Sequence, residues 1–298
     1  MVLAPRAVLV HRRTELDELI DRHGTRGQAE FFLRTRGRSL AEVQHRHDAC
    51  VDALRQASRA IPVDWRRGSV DRADLDRFLF DPDDVVIVVG QDGLVANTAK
   101  YLAGQPVLGL NPEPDRNPGV LVKFDPEQSG RLLKAIVSGR AAIEKRTLVR
   151  ADVDDGQQLV ALNEIYLGHP SHQSARYRLI EPGSEPERQS SSGVIVGTGT
   201  GATGWCASIV RGRRNRLNLP SPDARTLAWF VREAWPSPAT GTTHTEGLLA
   251  AEEHLTIDVE SDGLVIFGDG LEGDRLAVTW GQEITLGVDS QTLRLVSR

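Results

Sequence analysis

The run Val85-Val86-Ile87-Val88-Val89 ends in Gly90-Gln91-Asp92-Gly93, and this junction constrains the fold more than any other stretch of the chain. Five consecutive β-branched residues bounded by glycine read as a strand buried on both faces, the kind found inside a parallel sheet. Open α/β sheets bind ligands outside the carboxyl ends of their strands. Glycine on either side of a lone acid lets the backbone approach a phosphate closely and aim N–H groups at it. Asp92 is then the one strong base facing a polyphosphate, an arrangement suited to phosphoryl transfer.

The surrounding pattern supports an α/β first half. Thr14 with Asp17 three residues on is a helix-capping signal, and Leu16, Leu19 and Ile20 follow on one helical face. A longer helix is predicted over residues 40–60, where Val43, His47, Cys50, Leu54 and Ala57 are spaced 4-3-4-3, with Pro62 as its stop. The strand at 85–89, a helix over 94–103 closed by Gly104 and a strand at 106–110 make one β-loop-α-β unit. Such units give parallel strands with right-handed crossovers. A last amphipathic helix carries Leu132, Leu133, Ile136 and Val137.

Beyond it the rhythm shortens. Residues 147–153 and 159–167 read as two strands joined by a tight turn at Asp154-Asp155-Gly156. Further short strands are predicted at 177–180, 193–197, 255–260, 264–267, 275–280, 284–288 and 293–296, with Ser261-Asp262-Gly263 joining two of them. Helical signal is confined to 224–233 and a turn after Trp205, and 182–192 reads as a mobile loop. The expected architecture is α/β plus β. Residues 1–143 form a nucleotide-binding domain and 144–298 a β-rich substrate-binding domain, whose last residues pack back on the first.

Composition excludes several classes. With 298 residues, 40% apolar and 26% charged, the chain fits one large or two ordinary globular domains. A net charge of −5 argues against non-specific nucleic-acid binding, which needs a basic face. Cys50 and Cys206 are too far apart in sequence for a zinc knuckle and read as small buried hydrophobes. No apolar run reaches membrane-spanning length, and Ala7-Val8-Leu9-Val10 is too short for a signal sequence. A cytoplasmic location is expected.

Several motifs bear on chemistry. The pattern G-x-x-x-x-G-K-[ST] is absent, because no Gly-Lys pair occurs. Gly199-Thr200-Gly201-Ala202-Thr203-Gly204 matches G-x-G-x-x-G, yet its hairpin-like context and Asp223 lying among prolines disfavour a dinucleotide fingerprint. The hydroxyls of Thr198, Thr200 and Thr203 are better candidates, able to bond a base edge or phosphate. Asn163-Glu164 interrupts the apolar stretch 159–167, either as an edge strand facing solvent or as a pair binding ribose hydroxyls or an adenine amino group. His45 and His47 sit two apart on a helix and cannot share a metal. His169 and His172 have no carboxylate at ligand spacing. Arg211, Arg213, Arg214 and Arg216 read as a solvated turn ahead of a phosphate site.

With those residues set out, the chain resembles the NAD kinase family, and its mitochondrial-type branch in particular. Gly90-Gln91-Asp92-Gly93-Leu94 is similar to the family's Gly-Gly-Asp-Gly-Thr loop. Asn111-Pro112-Glu113-Pro114-Asp115-Arg116 carries the Asn-x-x-Pro-x-Arg form of the mitochondrial-type branch. Asn163-Glu164, Gly197-Thr198-Gly199-Thr200-Gly201, Val231-Arg232-Glu233 and Phe267-Gly268-Asp269-Gly270 resemble further family elements in the same order. The resemblance implies a Rossmann-like N-terminal domain, a β-sandwich-like C-terminal domain and at least a homodimer. It also implies ATP-dependent phosphorylation of the adenosine ribose 2′-hydroxyl of NAD, with Mg²⁺ arriving on ATP rather than in a dedicated protein site. Asp92 takes the role of general base, and Gly90 and Gly93 cradle phosphate. Asn111, Asn163, Glu164, Thr198, Thr200, Gly201 and Thr203 line the nucleotide sites. Gln91 and Leu94 depart from the family loop, which leaves open a catalytically weak dinucleotide sensor, while a shared Gly-Asp-Gly loop and sandwich domain leave open a related lipid or sphingoid kinase.

Overall fold

The structure is a computed structural model and describes residues 4–213 and 217–298. The chain divides into two compact units, Met1–Glu144 with Arg294–Arg298, and Lys145–Leu293.

The first unit runs β1 (Arg6–His11), α1 (Glu15–His23), α2 (Arg26–Arg34), α3 (Leu40–Ala60), β2 (Arg66–Asp71), β3 (Val85–Val89), α4 (Asp92–Ala99), β4 (Pro106–Leu110) and α5 (Ser129–Val137). Its strands are parallel in the order β2-β1-β3-β4, with residues 294–295 adding a further parallel strand beside β4. All five residues of β3 are buried, as the β-branched run requires. The chain passes from β1 outward to β2 and returns on the other side of β1 as β3. The order therefore reverses between β1 and β3, the topological switch point at which open α/β sheets leave a crevice.

Helix α3 occupies the residues its periodicity predicts. It buries Ala53 and Ala57 in a cluster with Ile87, Val89, Leu108, Leu110 and Leu133. Burial of each large aliphatic side chain there contributes roughly 1.5–3 kcal/mol. Thr14 and Asp17 form a full capping box at the start of α1, each side chain accepting from the other's backbone N–H. Helix α4 begins two residues earlier than its apolar pattern suggests. Asp92 is thus its first residue, where a carboxylate meets the positive end of the helix dipole.

The second unit contains β5 (Ile143–Val153), β6 (Gln158–Ala161), β7 (Glu164–Gly168), β8 (Ala175–Ile180), β9 (Glu187–Ser191), β10 (Gly193–Gly197), α6 (Trp205–Arg213), β11 (Thr226–Arg232), β12 (Glu246–Ala250), β13 (His254–Val259), β14 (Leu264–Gly268), β15 (Leu271–Val278) and β16 (Glu283–Val296). The first two residues of β5 and the last three of β16 count with the first unit. An antiparallel sheet runs β12-β11-β10-β7-β14-β15. A second group joins β16, β13, β8 and β9, with the hairpin β5–β6 attached through β16. Inward residues of both groups share one apolar core around Trp229, Tyr177, Ile165 and Ile257, the mark of a β-sandwich.

The structure departs from three expectations. Residues 224–233 form no helix: β11 is a central strand, with Leu227, Trp229 and Val231 in the main core and Ala228 and Phe230 packed on the opposite face beside α6. Burial on both faces erases the period-2 signal that separates strand from helix. Residues 187–191, within the expected loop, pair with β8. Their two buried polar side chains, Gln189 and Ser191, both bond the Tyr177 hydroxyl. The single strand expected at 159–167 is broken at Leu162–Asn163, where the chain leaves the β5 partnership for that of β10 and β14.

Candidate active site

In the first unit, Gly90 leaves β3 by donating its N–H to the Leu110 carbonyl at 3.1 Å, which ties the carboxyl ends of β3 and β4 together. Gln91 caps α4 in an extended conformation (φ −104°) with no side-chain capping bond, so the departure from glycine at this position strains nothing. The first N–H groups of a helix have no partner within it and attract anions. A Cβ built on Gly93 meets no atom within 4 Å. Open space at this position leaves the amide end of α4 approachable. Neither Gly90 nor Gly93 has a positive φ, so the loop's glycines provide access rather than a special backbone shape.

The Asp92 carboxylate is half-buried and bound to one short segment. Oδ1 accepts from the backbone N–H groups of Val120, Leu121 and Val122 at 3.1, 2.8 and 3.1 Å, and Oδ2 from Val120 at 2.9 Å. That segment lies flush on β4: a Cβ added to Gly109 would stand 2.3 Å from the Leu121 carbonyl oxygen. Asn111 is 3% exposed and spends its amide internally. Its Nδ2 donates to the Asn117 carbonyl at 2.6 Å, and its Oδ1 accepts from the Glu113 N–H at 3.0 Å. The structure gives Asn111 the task of shaping the 111–117 loop.

At the β1/β3 switch point lies a cavity of about 130 Å³ lined by Arg12, Arg46, His47, Cys50, Gly90 and Gln91 among others. Arg12 Nη2 contacts the Gln91 Oε1 at 3.4 Å. His47 is held by the Thr14 hydroxyl at 2.8 Å, so it ties α3 to the cap of α1. Leu94, the other departure, is buried at 3% exposure beneath Gly90.

In the second unit the structure brings Asn163, Glu164, Thr198, Thr200 and Gly201 together. The bend at Leu162–Asn163 removes two peptide units from any strand ladder, and buried backbone groups need partners. Thr198 serves both carbonyls: its hydroxyl donates to Leu162 O at 2.5 Å and its N–H to Asn163 O at 2.8 Å. Asp269 serves both N–H groups, Oδ2 accepting from Leu162 at 2.9 Å and Oδ1 from Asn163 at 2.6 Å. The Thr198 hydroxyl also accepts from the Thr200 N–H at 3.0 Å. Thr198 is fully buried, its hydroxyl engaged by the bend and by Thr200.

Gly201 packs so tightly on the bend that an added Cβ would sit 2.3 Å from the Asn163 carbonyl oxygen. Thr200 receives the buried Arg146 guanidinium at 3.3 Å, and Thr203 is exposed with its hydroxyl on the Thr200 carbonyl. Among the described residues, the Asn163 amide and the Glu164 carboxylate carry no side-chain hydrogen bond. Glu164 is pushed up to about 7, first by burial and then by the negative charge of Asp269. Burial, with the Glu164 charge adding to it, pushes the Cys206 thiol up to about 12, in keeping with a packing role.

Sequence reasoning recorded Asp269 only as part of a family resemblance, and it missed Arg146. An Asp-Gly pair between apolar runs signals a hairpin turn, but nothing local reveals a partner more than 100 residues away. Of the arginine cluster, Arg213 bonds Glu246 at 3.0 Å and Arg211 is exposed, while Arg214 and Arg216 lie outside the described residues. Among the described residues no group of three or more His, Cys, Asp or Glu side chains is placed to hold a metal.

No family model matches the sequence. Among curated relatives, the NAD kinase of Cellvibrio japonicus is 34% identical over 257 residues, covering 80% of this chain and 78% of the relative. The NAD kinase of Saccharophagus degradans is 28% identical over 191 residues, covering 60% of this chain and 62% of the relative, less than two thirds of its length. That of Colwellia psychrerythraea is 27% identical, covering 72% and 71%. Among solved structures, yeast NADH kinase complexed with NADH aligns with a TM-score of 0.61 at 15% identity, covering all of this chain and 84% of that one. An NAD kinase from Archaeoglobus fulgidus in complex with ATP aligns at 0.57 and 17% identity, covering 98% and 93%. These two share the fold. With a relative one-third identical across more than three quarters of its length, this chain belongs to the NAD kinase family.

Proposed function

We propose that this chain transfers the γ-phosphoryl group of ATP to the adenosine ribose 2′-hydroxyl of NAD, giving NADP. The observation that carries the reading is Asp92: a carboxylate on the first turn of a helix, at the carboxyl end of β3, in a member of this family.

A sugar hydroxyl is a weak nucleophile, so a carboxylate must accept its proton as it attacks phosphorus. The general base is Asp92, acting through Oδ2, which among the described residues accepts from Val120 alone and keeps a lone pair for the incoming proton. Oδ1, engaged by three N–H groups, holds the side chain in position. The donor comes as MgATP, its cation part of the substrate and still partly hydrated. The N–H groups at the start of α4, with Gly90 and Gly93, bind its phosphates, supported by the open space at Gly93. Asn163 and Glu164 hold the adenosine of NAD, supported by the absence, among the described residues, of hydrogen bonds to both side chains. Thr200, Gly201 and the exposed Thr203 border the same nucleoside. Thr198 and Asn111 act through the loops they fix.

The mitochondrial-type assignment is supported by Asn111, Pro114 and Arg116 at their family spacing, Arg116 pairing with Glu42 at 2.9 Å. We assign a cytoplasmic homodimer on the sequence resemblance and composition; among the described residues no helix is long and apolar enough to cross a membrane. The test is a coupled assay of NADP formation from NAD and MgATP by the purified chain. A turnover comparable to that of a family kinase is expected, and binding of NAD without NADP formation overturns the reading in favour of a sensor.

A further inference from the structure

We infer that Asp269 is a positioning residue for nucleoside recognition: its carboxylate takes both N–H groups of the Leu162–Asn163 bend and thereby sets the two side chains, Asn163 and Glu164, that face the ribose.

The geometry leaves little freedom. Where the chain changes partners, the Leu162 and Asn163 N–H groups leave the ladder, and Leu162 is fully buried, so water is no substitute. Asp269 reaches them because it occupies a two-residue hairpin between β14 and β15. Asp269 (φ 56°) and Gly270 (φ 65°) are both left-handed, and Gly268 pairs with Leu271 across the turn. This is the turn shape for which Asp-Gly is favoured. The Asp269 N–H in turn donates to the Glu164 carbonyl at 3.1 Å. The hairpin is packed hard against the end of β6, since a Cβ on Gly268 would lie 2.7 Å from that of Ala161.

Two N–H donors converge on one side chain, and only a carboxylate offers two acceptor oxygens in a short planar group. Asparagine shares the left-handed preference but brings one acceptor and an NH₂ that opposes the second donor. The same carboxylate puts a negative charge beside Glu164, whose own charge in turn acts on the Cys206 thiol on α6. Asp269 therefore acts on Glu164 twice, through the backbone and through its field.

The kinetic readout rests on the NAD kinase reading; a second readout does not. In Asp269→Asn we expect the KM for NAD to rise about ten-fold, the equivalent of one lost charge-assisted hydrogen bond, with the KM for ATP within about two-fold. The acid limb of the kcat/KM profile for NAD should also move to lower pH as the repulsion on Glu164 falls. That move should vanish in a Glu164→Gln background. An unchanged KM for NAD, or equal losses for both substrates with an unmoved acid limb, overturns the inference. In the wild-type protein, hydrogen exchange at the Leu162 and Asn163 amides should be slow. Exchange of either at an unprotected rate overturns the inference whether or not the variant folds. A wild type that makes no NADP overturns the proposed function instead, and the exchange measurement still decides the role of Asp269.

Discussion

The Asp92 carboxylate accepts the Leu121 backbone N–H at 2.8 Å, and the N–H groups of Val120 and Val122 converge on the same oxygen. One side chain thus anchors the segment after β4 while leaving its other oxygen nearer to free. The proposed general base and the anchor of this segment are one residue, so a substitution there should register in both rate and stability.

Replacing Asp92 by Asn should lower kcat by about 10²–10⁴-fold, the usual cost of losing a general base. Its NH₂ also opposes the Val120 donor, and the unpaired group should cost about 1–3 kcal/mol of stability. Steady-state kinetics and urea denaturation measure the two effects. Retention of half the wild-type turnover eliminates Asp92 as the base.

The two departures from the family loop should separate. Gln91→Gly is expected to leave kcat/KM within about two-fold, because the Gln91 side chain is exposed and its contact with Arg12 at 3.4 Å is at the long limit of a hydrogen bond. Leu94→Thr should cost about 1–3 kcal/mol, since it removes buried apolar surface and places a hydroxyl in the core. A ten-fold kinetic loss in Gln91→Gly, with unchanged melting temperature, contradicts this assignment and gives Gln91 a contact with substrate.

Glu164 yields a prediction with a definite sign. Its folded value of about 7 lies above the ordinary 4.5, so the native state holds the proton more tightly than the unfolded chain. Stability on this account is greatest at low pH and falls as pH rises from about 4.5 through about 7. Glu164→Gln, which cannot ionise, should therefore melt higher than wild type at pH 8, by up to ~3 kcal/mol. The difference should shrink to nothing towards pH 4. Melting curves across that range decide it, and a variant less stable at pH 8 rejects the assignment. The same variant should raise the KM for NAD more than that for ATP.

Two glycines near the proposed site should respond in opposite ways. Gly93→Ala meets open space inside a helix and should gain up to ~1 kcal/mol, while raising the KM for ATP if phosphate approaches there. Gly201→Ala forces a Cβ onto the Asn163 carbonyl and should lose about 1–3 kcal/mol, with a raised KM for NAD. Equal melting temperatures for the two variants would overturn the packing described at the bend.

What the sequence alone determined was local. The β-branched run at 85–89, the 4-3-4-3 spacing of α3 and the Thr14/Asp17 cap each encode their outcome within a few residues, and each appears at its expected place. The ordered motifs single out Asp92 and the Asn163-Glu164 pair without reference to geometry. Tertiary structure decided the rest. Whether 226–232 became strand or helix depended on neighbours supplied by β10 and β12, because an apolar run buried on both faces has no period of its own. The break at Leu162 depended on Thr198 and Asp269, residues 36 and 107 positions away from it. Asp92 found its donors 28 to 30 residues downstream. Hydrogen-bond partners of buried polar groups are fixed by which segments the closed core brings within 3 Å, and that information is distributed over the whole chain rather than written beside the residue that needs it.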